Sequence, residues 1–196
     1  MGRIYYIMGK SATGKDTVYK ELLKRRPDLK KIVPCTTRPI REGETDGVEY
    51  RFMTVEELEK NLRAGKVIEL RTYQTVAGPW NYFTMDDGQF DLLETSRYLM
   101  IGTLESYEKM RQYFGAQALV PIYIEVPDGI RLRRALERED AQKNPNYREV
   151  CRRYLADEAD FSEENLRMAG IEKRFGNLDL GQCLYEIEKE IGSRAD

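Results

Sequence analysis

A run of strand-forming residues, Ile4-Tyr5-Tyr6-Ile7-Met8, leads directly into Gly9-Lys10-Ser11-Ala12-Thr13-Gly14-Lys15 and then into a helix-like stretch beginning Asp16-Thr17. Few short patterns constrain a fold as strongly. Two glycines five residues apart let backbone N–H groups face inward on a tight curve, and the helix that follows adds its positive N-terminal end. In a strand–loop–helix context, a Gly-x-x-x-x-Gly-Lys loop wraps a triphosphate, and Lys15 reaches the outer phosphates as a compact charge. The strict pattern places Ser or Thr after the lysine, as a hydroxyl ligand for magnesium. Here Asp16 holds that position and Thr17 comes one step late. Taken alone, the hexamer leaves open an ordinary glycine-rich strand-to-helix turn.

The residue inventory narrows the chemistry. The chain has no histidine, which removes imidazole general bases, Ser-His-Asp or Cys-His nucleophiles and His-based zinc sites. Phosphoryl transfer is the main reaction class that works by positioning and electrostatics alone. A net charge of -2 with interspersed signs provides no global basic field for nucleic acid or a membrane surface. Cys35, Cys151 and Cys183 are widely spaced, lack metal-like pairing, and read as reduced thiols. The N-terminus enters a strand at once, with no apolar cleavable segment before it and no membrane-length apolar run later, so a cytoplasmic location is expected. At 196 residues a single α/β domain is expected.

Periodicity lays out the elements. Val18, Leu22 and Leu23 mark a helix face ending near Arg26-Pro27-Asp28, followed by a short strand Lys31-Ile32-Val33 and a polar loop from Cys35 to Asp46. Thr54-Val55-Glu56-Glu57 is a capping-box signature for a helix that Gly65 closes. Strands are expected over Val67 to Tyr73, Trp80 to Phe83 (an antiparallel patch) and Tyr98 to Ile101. A helix from about Leu104 to Phe114 follows, then a strand from Leu119 to Val126 with an irregular start at Pro121. An arginine-rich helix over Asp128 to Glu139 breaks at Asp140 to Asn146, and a second helix runs to about Asp160. Ile171 to Phe175 reads as a last strand. Leu180, Leu184, Ile187 and Ile191 mark a final amphipathic helix. This alternation predicts helices on both faces of a mostly parallel sheet, with ligands at the carboxyl ends of its strands.

A second constellation follows the loop. In Thr36-Thr37-Arg38-Pro39-Ile40-Arg41-Glu42-Gly43-Glu44-Thr45-Asp46-Gly47-Val48-Glu49-Tyr50-Arg51-Phe52, two arginines and a tyrosine suit a dianionic monoester, and a solvated charged loop is the bland alternative. Downstream of the glycine loop, this stretch resembles the acceptor site of guanylate kinases, and the resemblance runs on through Val67-Ile68-Glu69 and, more loosely, Tyr82-Phe83-Thr84. It implies a three-layer P-loop kinase fold with a mostly parallel central sheet, a small antiparallel acceptor-binding part over residues 34–96 and a helical lid over about 140–160. Residues 1–33, 97–139 and 161–196 would then form the core of a single domain spanning 1–196. It further implies transfer of the γ-phosphoryl of MgATP to GMP, by a monomer or weak homodimer with no nucleic-acid or membrane partner.

By this resemblance Gly9, Lys10, Ser11, Ala12, Thr13, Gly14, Lys15, Asp16 and Thr17 cradle ATP, with Asp16 and Thr17 beside magnesium. Lys15, Arg134, Arg138 and Arg153 stabilise the migrating charge. Arg38, Arg41 and Tyr50 hold the acceptor phosphate, Glu69 accepts from guanine N1 and N2, and Tyr82 and Thr84 offer hydroxyls to phosphate or base. Arg133 and Arg152 read as a solvated helix face. The family's guanine-reading serine is Pro34 here, and its Asp-x-Asp is Met100-Ile101-Gly102. Asp after the loop lysine is also similar to ribose 1,5-bisphosphate phosphokinases, so a sugar-phosphate kinase is one alternative. A non-catalytic guanylate-kinase-like module that binds phosphopeptides is another.

Overall fold

The structure is a computed structural model that describes residues 2–41, 43–75, 78–92 and 95–193. Glu42 of the arginine-bearing stretch lies outside the described residues. Alternation along β1 (Arg3–Met8) sets the architecture: Ile4, Tyr6 and Met8 join one buried cluster, Tyr5 and Ile7 another. A strand covered on both faces belongs in the middle of a parallel sheet between helical layers. Its partners are β2 (Leu29–Lys31), β7 (Arg97–Ile101), β8 (Leu119–Glu125) and β9 (Arg174–Gly176). They form a five-stranded sheet in the order β2-β7-β1-β8-β9, with every pairing parallel.

One face carries α1 (Lys15–Arg25) and α7 (Leu180–Ser193), whose Val18, Leu22, Leu184 and Ile187 pack on Tyr5, Ile7 and Ile122. The other carries α3 (Leu104–Phe114) and the short α6 (Glu163–Met168), which bring Tyr107, Met110 and Leu166 onto Ile4, Tyr6 and Tyr98. Each such large apolar side chain contributes roughly 1.5–3 kcal/mol on burial. The helices α4 (Asp128–Asp140) and α5 (Tyr147–Asp160) follow β8 and are joined by residues 141–146.

A second sheet, in the order β4-β3-β6-β5, is built from β3 (Cys35–Thr36), β4 (Arg51–Phe52), β5 (Val67–Thr75) and β6 (Gly78–Met85). It is antiparallel except for the β3–β4 pair, which is parallel. The helix α2 (Val55–Arg63) begins on the expected capping box, with Thr54 accepting from Glu57 N–H and Glu57 from Thr54 N–H. It drops Leu58 into a small core with Cys35, Phe83 and Met85. The β5–β6 ladder breaks step between Val67 and Glu69, where a bulge inserts Ile68.

Several boundaries differ from the sequence expectation. The second strand is Leu29–Lys31 rather than Lys31–Val33, because its ladder runs against Arg97 to Leu99. β9 starts at Arg174, since Ile171 is buried in the core as a loop residue after α6, which the sequence reading missed. Pro121 sits in regular register opposite Tyr6. β9 joins β8 only from Tyr123 onward, so at Pro121 there is no outer ladder to interrupt. No described helix is long and apolar enough to cross a membrane.

Candidate active site

The loop between β1 and α1 opens at the carboxyl end of the central strand, where open α/β sheets hold ligands. Two of its glycines are required by contact. A Cβ on Gly9 would come within 2.5 Å of the Ile124 carbonyl oxygen, and one on Gly14, at φ 82°, within 2.5 Å of Asn177 Nδ2. Asn177 donates from that nitrogen to the Thr13 carbonyl at 2.7 Å, and Thr13 Oγ1 donates to the Lys10 carbonyl at 2.8 Å. Ala12 adopts φ 62°, a left-handed conformation that costs a non-glycine residue about 1–2 kcal/mol. The loop is thus held in a strained curl by named contacts. The Lys15 ammonium and the exposed Asp16 carboxylate, at the start of α1, engage in no hydrogen bond or ion pair among the described residues. Thr17 is also exposed.

The helix α5 closes one side of this loop. Ser11 N–H donates to Asp157 Oδ2 at 2.7 Å, and Lys10 Nζ to Glu158 Oε1 at 2.8 Å. Behind them Arg131 of α4 is only 1% exposed. It pairs with Asp128, Asp157 and Glu158 and stacks on Tyr154 at 4.3 Å. The loop's N–H therefore faces a protein carboxylate in this state, and an arginine holds that carboxylate in place.

On the opposite side the second sheet presents a ladder of cross-strand neighbours. Glu69 lies opposite Thr84, Arg71 opposite Tyr82 and Tyr73 opposite Trp80. Tyr82 meets Tyr50 and Tyr73 edge to face, each at 5.6 Å between centroids. Between the loop, this ladder and α5 lies a cleft of about 780 Å³, bordered by Ser11, Arg41, Tyr50, Arg71, Tyr82 and Arg153 among others.

Gly9, Lys10, Ala12, Thr13, Gly14, Lys15, Asp16 and Thr17 do not border this cleft, and the remaining predicted site residues divide into three groups. Ser11, Arg41, Tyr50, Tyr82 and Arg153 meet at the cleft. Arg38, Glu69 and Thr84 are buried behind its wall. The Arg38 fork is filled by Glu44 at 2.7 and 2.5 Å, beneath the Tyr50 ring. That hydrogen-bonded fork holds the Glu44 carboxyl at about 2, well below its usual range. Thr84 donates to Glu69 at 2.8 Å, bracing the carboxylate from inside the sheet. Arg134 and Arg138 form the third group and do not border the cleft. Arg134 donates to the Asn177 carbonyl at 3.2 Å, one step behind the loop, and Arg138 is exposed.

Arg152, read from the sequence as a solvated helix residue, borders the cleft in a fork with Glu149, as does Arg153 through its own bond to Glu149. The hydrogen bond from Arg152 leads in holding the Glu149 carboxyl at about 2. Sequence reading also missed Arg71, Asn177 and Asp157. Of these only Arg71 carried a signal, since it shares strand parity with Glu69 and Tyr73.

Fold and site together define a class: an α/β protein with a parallel core sheet, a glycine loop at the carboxyl end of its middle strand, and a second sheet facing that loop across a cleft. Within that class, the family model for guanylate kinase matches residues 1–78. The guanylate kinase of Chlorobaculum tepidum is 32% identical over 142 residues, covering 72% of this chain and 70% of the relative. The chain belongs to the guanylate kinase family. Identity is higher over a shorter stretch with the guanylate kinase of Symbiobacterium thermophilum, at 46% over 68 residues, 35% of this chain and 32% of that relative. That match spans only about a third of the relative's length. The solved guanylate kinase of Anaplasma phagocytophilum shares the fold, with a TM-score of 0.68 over 99% of this chain and 86% of that one, at 20% identity.

Proposed function

We propose that the protein is an ATP-dependent nucleoside-monophosphate kinase that passes the γ-phosphoryl of ATP to GMP. One observation carries the reading. A single cleft has Ser11 of the glycine loop at one wall and Arg41, Tyr50 and Tyr82 at the other, so an acceptor phosphate held there lies beside the loop. The relatives named above, themselves guanylate kinases, support the same assignment.

In this reading Gly9 to Thr17 wrap the ATP phosphates and Lys15 carries charge to the group in flight. Arg153, together with Arg152, approaches from α5, and residues 140–160 act as a lid that brings both arginines over the phosphates. Arg134 acts through Asn177 on the loop, and Arg138 reaches the site only when the lid closes. Residues 34–96 hold the acceptor: Arg41, Tyr50 and Tyr82 take its phosphate, and Arg38, locked to Glu44, fixes the Tyr50 ring. No covalent enzyme intermediate is required, because aligned phosphates in a water-poor site suffice.

The residues present fit a magnesium ion of the kind that keeps most of its waters. No group of three acidic or cysteine side chains among the described residues forms a protein cage. Asp16 is an exposed carboxylate without a partner among the described residues, beside Lys15, and magnesium is commonly held by one or two carboxylates plus substrate phosphates. Asp16, with Thr17 next to it, would hold that ion, which when bound neutralises phosphate charge.

The test is coupled ADP release with GMP, dGMP, AMP, UMP and ribose 1,5-bisphosphate as acceptors, for wild type and Lys15→Ala. GMP should be the preferred acceptor. Lys15→Ala should lose roughly 3–4 kcal/mol of transition-state stabilisation at nearly unchanged acceptor affinity. Wild-type-like turnover in Lys15→Ala, or transfer to the sugar phosphate alone, removes the reading.

A further inference from the structure

Two carboxylates of the protein itself are seated on the loop that would wrap a polyanion. Asp157 Oδ2 accepts from Ser11 N–H at 2.7 Å and from Arg131 Nη1 at 3.3 Å, and Glu158 Oε1 accepts from Lys10 Nζ at 2.8 Å. Both stand on α5, and Ser11 borders the cleft that holds the acceptor wall. A phosphate oxygen brought to the same N–H would meet the Asp157 oxygen, so it can reach Ser11 only after Asp157 has left. The start of α1 is prepared differently. It has no side-chain cap, so the N–H groups of Lys15, Asp16 and Thr17 have no intrahelical acceptor and are left for a ligand.

The charges around the loop point the same way. Lys10 and Arg131 face Asp128, Asp157 and Glu158, so two cations meet three carboxylates beside a loop whose ligand is strongly anionic. Asp128 and Arg131 belong to α4, Asp157 and Glu158 to α5. Moving α5 away removes both carboxylates that touch the loop and turns the cluster from net negative to net positive. The closed arrangement is a packed one, because Arg131 is almost fully buried and stacks on Tyr154, also of α5, at 4.3 Å. Asp157 lies one turn beyond Arg153 on the same face of that helix. A shift of α5 by one turn would bring the Arg153 guanidinium to where the Asp157 carboxylate now is.

Taking the kinase reading above as its basis, we propose that Asp157 and Glu158 form an autoinhibitory latch on the nucleotide loop. They hold it in place of the ATP phosphates, and ATP enters by displacing them.

The experiment titrates ATP, tripolyphosphate and adenosine, without magnesium, into wild type, Asp157→Asn, Asp157→Ala and Glu158→Gln by calorimetry. The Asn variant keeps the shape of the side chain and an acceptor for Arg131 without the charge, and it serves if the Ala variant does not fold. ATP and tripolyphosphate should each bind about fivefold more tightly to Asp157→Asn and Glu158→Gln, and at least as much more tightly to Asp157→Ala. Adenosine binding should not change, since the latch opposes phosphate and not the nucleoside.

A gain for adenosine equal to that for tripolyphosphate means general loosening and overturns the latch. So do variants that bind ATP no more tightly than a wild type that phosphorylates GMP. If neither wild type nor the variants bind ATP or tripolyphosphate, the kinase reading itself falls and the latch with it.

Discussion

Replacing Gly102 by alanine isolates a steric pairing between the central strand and the residue that follows β7. A Cβ at position 102 would sit inside the Tyr6 hydroxyl and 2.9 Å from Tyr6 Cζ, closer than real Cβ contacts come. Tyr6 lies on the central strand and is completely buried, so its ring has no route to solvent. Gly102 is not in the left-handed region, so the substitution carries no backbone penalty and the clash is the main effect. Overpacking of a tight core costs about 1–3 kcal/mol, and the depth of this overlap places Gly102→Ala near the top, at about 3 kcal/mol.

The Tyr6 hydroxyl is buried and makes no well-formed hydrogen bond among the described residues, with only a weak contact to Ser106, and burial pushes its pKa far above the ordinary phenol value. Tyr6→Phe alone should therefore be neutral or slightly stabilising, because it removes an unsatisfied polar atom. In the double variant the worst contact is gone and the one to Cζ remains, so the cost should drop to about 1 kcal/mol, a coupling of about 2 kcal/mol. Urea denaturation of the four proteins measures this. Thermal melts should show Gly102→Ala lower by about 6–12 °C, at about 2–4 °C per kcal/mol for a chain of this size. A loss below about 0.5 kcal/mol in Gly102→Ala, or strict additivity in the cycle, would refute the reasoning.

Two further outcomes follow from the pairs around the cleft. Asp157→Asn removes the charge that sits on the Ser11 N–H, so ATP should bind about fivefold more tightly in a direct titration, from relief of roughly 1 kcal/mol of repulsion at about 4 Å; unchanged or weaker ATP binding would count against α5 closing the loop. Glu44 is held at about 2 by its hydrogen bonds to Arg38, against an ordinary 4.5. A depressed carboxyl stabilises the fold above its unfolded pKa and loses that contribution as pH falls, so the stability advantage of wild type over Glu44→Gln should fade between about pH 4.5 and 2 in acid melts. A constant difference across that window would show that the pair does not discriminate the protonation states.

How much of this was legible in the sequence depends on how local the cause is. The loop and α1 were, because glycine spacing and an amphipathic run are read within a few residues of the event. The α2 capping box was as well, for the same reason. The shift of β2 to Leu29–Lys31 was not, since its register is chosen by β7, 68 residues later, where Lys30 pairs with Tyr98. Nor was Asn177, which reaches the Thr13 carbonyl across most of the chain. The resemblance singled out Arg38 and Glu69, and both are buried behind the cleft wall. It could not reveal that Glu44 fills the first fork or that Arg71 claims the second, because both depend on which charged neighbour lies on the same face after folding. Gly102 read as a lost carboxylate, and only the position of Tyr6 turns it into a fit.

The bulge at Ile68 has an implication for how the hairpin tolerates insertions and deletions. Val67 and Leu70 are three positions apart yet both pack in the small core around Phe83, which an unbroken two-residue beat forbids. Ile68 is the extra count that resets the beat. Delete it and β5 pairs continuously in the register it already has, Val67 opposite Met85 and Glu69 opposite Thr84, with Val67 and Leu70 then two positions apart on one face. The core around Phe83 and the Glu69–Arg71 pair would both keep their places. The bulge is therefore a place where the segment between Lys66 and Leu70 can shorten by one residue without moving either side of the hairpin.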